Sequence, residues 1–369
     1  MRGRELILPL GVAALTHAGV DAACAVLLFG GVAAARITPA GILPAFLGYG
    51  LLAFGTQPVI GFAADRTGSY RPIAVAGALA AVVAPLVALV SGGIVPAVVI
   101  AGLGNAAFHV GAGAFSLKVT PGRALAPGLF VAPGAAGLAI GTVAGRAGAS
   151  PWPIVGVLAV LTALLAITLR ASAARAAFAP HRGPRATNRP IPGLEYLLLL
   201  VLVVVTVRSF VGTAVAFPWR TEPWMLIAIT LAVVAGKALG GVLADRFGRV
   251  AAGASTLLVA APLLVLGATS PILGIAGLLA FNVTMPITLV AIADVMPEHP
   301  GSAFGLTCVA LIAGAFPALI GLPVATLSPS VLFAIVAASA AVLAVALLRL
   351  GSHSVPRVAR DVASEGIAL

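Results

Sequence analysis

The stretch GFAADRTG (residues 61–68) returns as GVLADRFG (residues 241–248), and that repetition decides the fold. Gly61, Ala64, Asp65, Arg66 and Gly68 recur as Gly241, Ala244, Asp245, Arg246 and Gly248, 180 residues on. Weaker echoes pair Asn105 with Asn282, and GRALAPG from Gly122 with GSAFG from Gly301. A chain with such copies at equivalent places is built of two like halves. Around them the 369 residues are 61% hydrophobic and 8% charged, with a mean hydropathy of +1.17. Soluble domains carry about 25% charged residues, so water-soluble classes are excluded and the solvent this chain fits is lipid.

A membrane-spanning helix needs roughly 20 apolar residues. Reading apolar runs between Arg, Pro and Gly breaks gives twelve spans: 6–28, 41–63, 73–91, 94–116, 124–145, 152–170, 194–216, 224–244, 250–269, 271–292, 302–325 and 330–350. Each copy of the repeat follows the second span of its half. The net charge of +11 would point to nucleic acid in a soluble protein, but here it is explained by placement. With the N-terminus in the cytoplasm, all but five of the 21 Lys and Arg fall on cytoplasmic segments. Arg36, Arg146 and Arg220 fall outside; Arg208 and Lys237 lie within spans. That is the positive-inside pattern, and it puts both termini in the cytoplasm. No nucleic-acid partner is expected. The predicted organisation is a six-helix bundle over 1–170, a basic linker over 171–193, a second bundle over 194–350 and a tail over 351–369.

With these features the chain resembles the major facilitator superfamily. Both copies match its loop signature G-x-x-x-D-R-x-G, the second more fully because Arg249 follows Gly248 directly. The resemblance implies an all-α fold of twelve helices in two pseudo-symmetric bundles, related by an axis along the membrane normal. It also implies that Gly61, Asp65, Arg66, Gly68, Gly241, Asp245, Arg246, Gly248 and Arg249 form a gate. Gly permits close helix contact, while Asp and Arg can cap helix ends and pair across the halves. In the fifth span, GLFVAPGAAG (Gly128, Pro133, Gly137) resembles the family's antiporter signature and implies export. THAGVD, QPVIGFAAD, GLGNAAFHVGAGAF and GRALAPGLFVAPG are similar to the fosmidomycin-resistance branch, which implies drug or metabolite efflux driven by the proton gradient.

An ionisable group at mid-bilayer costs roughly 2.5–3.5 kcal/mol, so each one needs a reason. His17 and Asp21 share a face of the first span at i, i+4, and Asn105 and His109 repeat that spacing in the fourth. Arg208 lies in the seventh; Asn282, Thr284 and Thr288 mark the tenth. The resemblance assigns those four helices to a central cavity. Asp21, His17 and His109 are therefore the candidates for proton coupling, since a carboxylate or imidazole can gain and lose a proton as access alternates. Asn105, Arg208, Asn282, Thr284, Thr288 and Gln57 are the candidates for the substrate cavity. Lys237 reads as a snorkelling residue near the end of its helix, and Asp294 with Glu298 as a turn that pairs across the halves.

The expected function is a proton-coupled antiporter in the cell membrane, acting as a monomer on a small-molecule substrate. The alternatives are a symporter or facilitator importing a metabolite, anionic if Arg208 contacts it, and a non-transporting scaffold or sensor. Cys24 and Cys308 give no metal-ligand spacing. Neither H-E-x-x-H nor G-x-S-x-G occurs. No enzyme activity, metal or cofactor is expected.

Overall fold

The computed structural model describes residues 2–31, 39–90, 94–171, 174–175, 193–322 and 327–353. Its helices in chain order are α1 (Arg2–Val26, running into a π-helical turn Leu27–Gly31), α2 (Pro39–Gly50, a π-helical turn Leu51–Gly55, then Gln57–Thr67), α3 (Tyr70–Val90), α4 (Ile94–Val119), α5 (Leu125–Arg146) and α6 (Trp152–Thr168). The second half repeats them as α7 (Leu194–Ala214), α8 (Pro223–Phe247), α9 (Arg249–Leu266), α10 (Pro271–Asn282 and Thr284–Val295), α11 (Pro300–Leu319) and α12 (Pro329–His353). Eleven of these are long and apolar enough to cross a membrane, and the shorter apolar α6 is the twelfth among the described residues. Several open on proline, whose missing N–H costs nothing in a first turn: Pro223, Pro271 and Pro300. Most of the linker expected over 171–193 and of the tail over 351–369 lies outside the described residues.

The halves pack alike. In the first, α1 lies against α5 and α6, and α3 against α4 and α6; in the second, α7 lies against α11 and α12, and α9 against α10 and α12. Adding six to each helix number of the first set gives the second. Between the halves α2 meets α11 and α5 meets α8, with α4 touching α11 and α5 touching α10.

One boundary corrects the sequence reading. The repeated motif does not follow α2 and α8 but forms their last two turns. Counting apolar residues stops the helix where charge begins, whereas the backbone goes on until a residue turns it. Gly68 (φ 67°) and Gly248 (φ 89°) do so in the left-handed region that glycine alone enters freely.

Candidate functional site

The motif carboxylates act across the halves. The first turn of any helix leaves N–H groups without partners. At the start of α11 the N-cap residue His299 makes no cap hydrogen bond, and at the start of α5 the N-cap is Ala124, which has no polar side chain. Asp65 of α2 supplies what α11 lacks. Its carboxylate accepts from the amides of Gly301 and Ser302 (2.8 Å each) and from the Ser302 hydroxyl (2.6 Å) and Tyr70 phenol (2.8 Å). Asp245 of α8 does the same for α5, accepting from the amides of Ala124 (2.7 Å) and Leu125 (3.1 Å) and from Arg123 Nε (3.3 Å). A carboxylate at a helix N-terminus also meets the positive end of the helix dipole. The approach requires glycine on both sides: a Cβ on Gly61 would run into the backbone of Gly301, and one on Gly241 would lie 2.6 Å from the Ala124 carbonyl.

Of the charges expected to pair between halves, only the aspartates reach across in these seams. Arg66 is exposed and lies over the Phe62 ring (4.8 Å), and Arg246 lies over Phe247 (5.6 Å), each on its own helix. Arg249 pairs with Asp294, joining α9 to α10 inside the second half rather than bridging the halves. Buried main-chain donors bind a carboxylate better than a solvated guanidinium on a long stem, which gains little.

Deeper in the first half four polar residues of α1 and α4 converge. Asp21 lies 3.3 Å from His17 Nε2 and 3.7 Å from His109 Nε2, and accepts from Asn105 Nδ2 at 3.2 Å. His17, Asn105 and His109 are buried. His17 Nδ1 is 2.8 Å from the Phe130 carbonyl, and His109 Nδ1 is 2.9 Å from the Asn105 carbonyl. A carbonyl only accepts, so both Nδ1 atoms carry hydrogen and donate. Each Nε2 of a neutral ring is then a lone pair, yet the two Nε2 atoms stand 2.8 Å apart, the length of a hydrogen bond. One further proton completes it, giving an imidazolium–imidazole pair beside the Asp21 carboxylate. The three ligand-type atoms of His17, Asp21 and His109 lie within 4.8 Å of one another, close enough for a single small cation to serve all three.

The surroundings fix this geometry. Phe130 stacks on the His17 ring (4.8 Å between centroids) and Phe108 meets the His109 ring edge to face (5.6 Å). Gly134 of α5 sits under both His17 and Asp21, where any side chain would displace them. Gly137 lies against the backbone of Ala18, and Gly128 lets α8 approach, its Cβ position 3.0 Å from the Lys237 carbonyl. The small residues flanking Pro133 thus pack α5 against α1 on one side and α8 on the other.

In the second half the structure places Arg208 inside, 8% exposed, with Nη2 donating to the Met285 sulfur at 2.7 Å and Nε buried without a partner. Lys237 of α8 is half-buried and within electrostatic reach of Arg208, Asp21 and His109. Gln57 is buried where α2 resumes after its π-helical turn, donating to the Ala53 carbonyl (2.7 Å) with Oε1 unpartnered. Asn282, Thr284 and Thr288 are not brought to the cluster. They bond back to their own helix, at the Leu278, Phe281 and Thr284 carbonyls, around the break in α10 at Val283.

No protein-family model and no curated protein sequence matches the chain. Solved structures do match. The human organic anion transporter MFSD10 aligns over 94% of this chain and 99% of its own, with TM-score 0.68 at 16% identity. The major facilitator superfamily transporter FucP in its outward conformation aligns over 95% and 100%, with TM-score 0.62 at 14% identity. A variant of the E. coli fucose:proton symporter FucP aligns over 95% and 99%, with TM-score 0.61 at 13% identity. At these identities the likeness shows the fold: twelve helices in the major facilitator arrangement, in a multi-pass membrane protein.

Proposed function

We propose that this protein is a proton-coupled secondary transporter in the cell membrane, moving a small compound by alternating access. The observation that carries the reading is the pair of imidazoles whose facing Nε2 atoms need one proton between them, set beside Asp21. The groups facing Asp21 are His17 and Cys24 of α1, Tyr49 of α2, His109 and Asn105 of α4, Lys237 of α8 and Cys308 of α11. With the proton the cluster is neutral; without it the cluster carries Asp21's charge. A charge change of that kind at the centre of two bundles is what a moving proton needs in order to bias them. Asp65 and Asp245 are the gate: their face is closed here, and it opens only by giving up those hydrogen bonds. With both termini cytoplasmic, as the basic residues imply, the closed face is the cytoplasmic one.

Two modes of coupling have separate support. The small-residue seam of α5 and the resemblance of the first half to fosmidomycin-resistance proteins support exchange of substrate for protons, hence export and drug resistance. The buried Arg208 and the half-buried Lys237 support co-transport of an anion with the proton. MFSD10 is named for organic anions and FucP for fucose and protons, and either mode suits the fold.

Reconstituted vesicles test the reading. A growth screen of an expressing strain against toxic compounds supplies a substrate, and an imposed pH gradient then drives flux inward or outward according to the mode. Asp21→Asn is expected to abolish the pH-driven component while the purified protein keeps its helical content. Unchanged pH-driven flux in Asp21→Asn removes the cluster from the mechanism. Chelating divalent metals is expected to leave flux unaltered; loss on chelation would identify the shared cation as a metal ion.

A further inference from the structure

We infer that Arg208 and Lys237 form the binding site for the negatively charged group of the substrate, so that the compound moved is a small organic anion bearing a carboxylate or phosphate. The proposal rests on the transporter reading for what the site is used for, but the site stands on its own charges. A guanidinium keeps its charge and offers five N–H donors. Arg208 spends one of them on a thioether, a weak acceptor, and keeps Nε buried with nothing to donate to. Lys237 makes no hydrogen bond or ion pair among the described residues, yet lies within electrostatic reach of Arg208. Arg208 is thus an unpaired cation in a low-dielectric interior, where a buried charge costs several kcal/mol, and the half-buried Lys237 adds a second positive charge from α8.

No carboxylate forms an ion pair with either of them among the described residues. Glu5, Glu195, Glu222 and Glu298 are exposed, three of them at helix ends and Glu5 near the start of α1. Asp65 and Asp245 are taken by helix N-termini, and Asp294 by Arg249. Asp21, the one carboxylate deep in the membrane, is taken by His17, His109 and Asn105. Asp21 lies within electrostatic reach of Lys237, but Arg208 has no acidic partner among the described residues. The forked and point-like charges of Arg208 and Lys237 together suit an oxyanion. Met285, soft and adaptable, holds the guanidinium at the restart of α10 until the anion arrives.

Thermal unfolding of the purified full chain in detergent tests this, with sodium lactate and sodium phosphate as probes, sodium chloride at equal ionic strength as the salt control and lactamide as the neutral congener. A ligand that binds the folded state alone raises Tm with its concentration. The expected result has two parts. Lactate or phosphate raises the wild-type Tm where chloride and lactamide do not, and Arg208→Met and Lys237→Met each lose that response at least tenfold. Without ligand, Arg208→Met melts above the wild type, because it removes a buried charge the empty site leaves uncompensated. The proposal is overturned if Arg208→Met melts below the wild type, if lactamide stabilises as much as lactate, or if neither anion acts. Stabilisation by added anionic lipid alone overturns it too, since the site would then be a headgroup contact. Arg208→Lys, which keeps charge without the fork, is expected to fold normally with a weakened response. Asp21→Asn separates the two readings: it is expected to lose pH-driven flux and keep the anion-dependent rise in Tm, so either idea can fall alone.

Discussion

The two copies of the gate motif share five residues and the same trans-capping geometry, but they do not hold equally. The Asp65 carboxylate is 0% exposed and accepts four hydrogen bonds, none from a guanidinium. The Asp245 carboxylate is 10% exposed and accepts three, the third from Arg123, which is itself 43% exposed. One seam is a buried network and the other a partly wetted ion pair. Hydrogen bonds to a charged group are worth about 1.5–3 kcal/mol when buried, whereas an exposed ion pair is worth about 0–1. The near-symmetric fold therefore has an asymmetric lock, and the α5–α8 seam is the one that yields first.

That ranking can be broken by measuring how far each seam opens. Spin labels at Thr67 and Glu298 report the α2–α11 seam, and labels at Phe247 and Pro121 the α5–α8 seam. Asp65→Ala is expected to have the largest effect, moving the closed–open ratio by about a hundredfold, or about 2.7 kcal/mol. Asp245→Ala is expected to move it by about tenfold, close to 1.4 kcal/mol. An effect of Asp245→Ala as large as that of Asp65→Ala would refute the asymmetry. Tyr70→Phe removes one of the four donors at Asp65 and is expected to cost about 1 kcal/mol. Arg123→Gln should come last, below about 0.5 kcal/mol and fading as salt is raised. A salt-insensitive Arg123→Gln effect would mean that this pair is less solvated than its exposure indicates.

What the sequence made legible was the part written in local spacing. Hydrophobic run length placed twelve helices, and an internal repeat revealed two halves before any neighbour was known. The i, i+4 steps put His17 with Asp21 and Asn105 with His109. Their meeting across α1 and α4 was reachable only through the family resemblance, because nothing in one helix says which helix faces it. The aspartates were identified as helix caps, but not the helices they cap, since the partners are main-chain amides 120 or more residues away. Asn282, Thr284 and Thr288 were grouped with the cavity by helix membership alone. Their side chains are spent locally, on carbonyls around a helix break that Pro286 imposes, since it offers no amide to the Asn282 carbonyl four residues back.

The grip of Asp245 on Ala124 and Leu125 has a consequence for how such proteins diverge. It reads peptide groups rather than side chains, so positions 124 and 125 are free to drift among residues of similar size without loosening it. Pairwise co-variation would leave no trace of this contact, and only the spare glycine opposite, with its missing methyl, would betray where the two bundles touch.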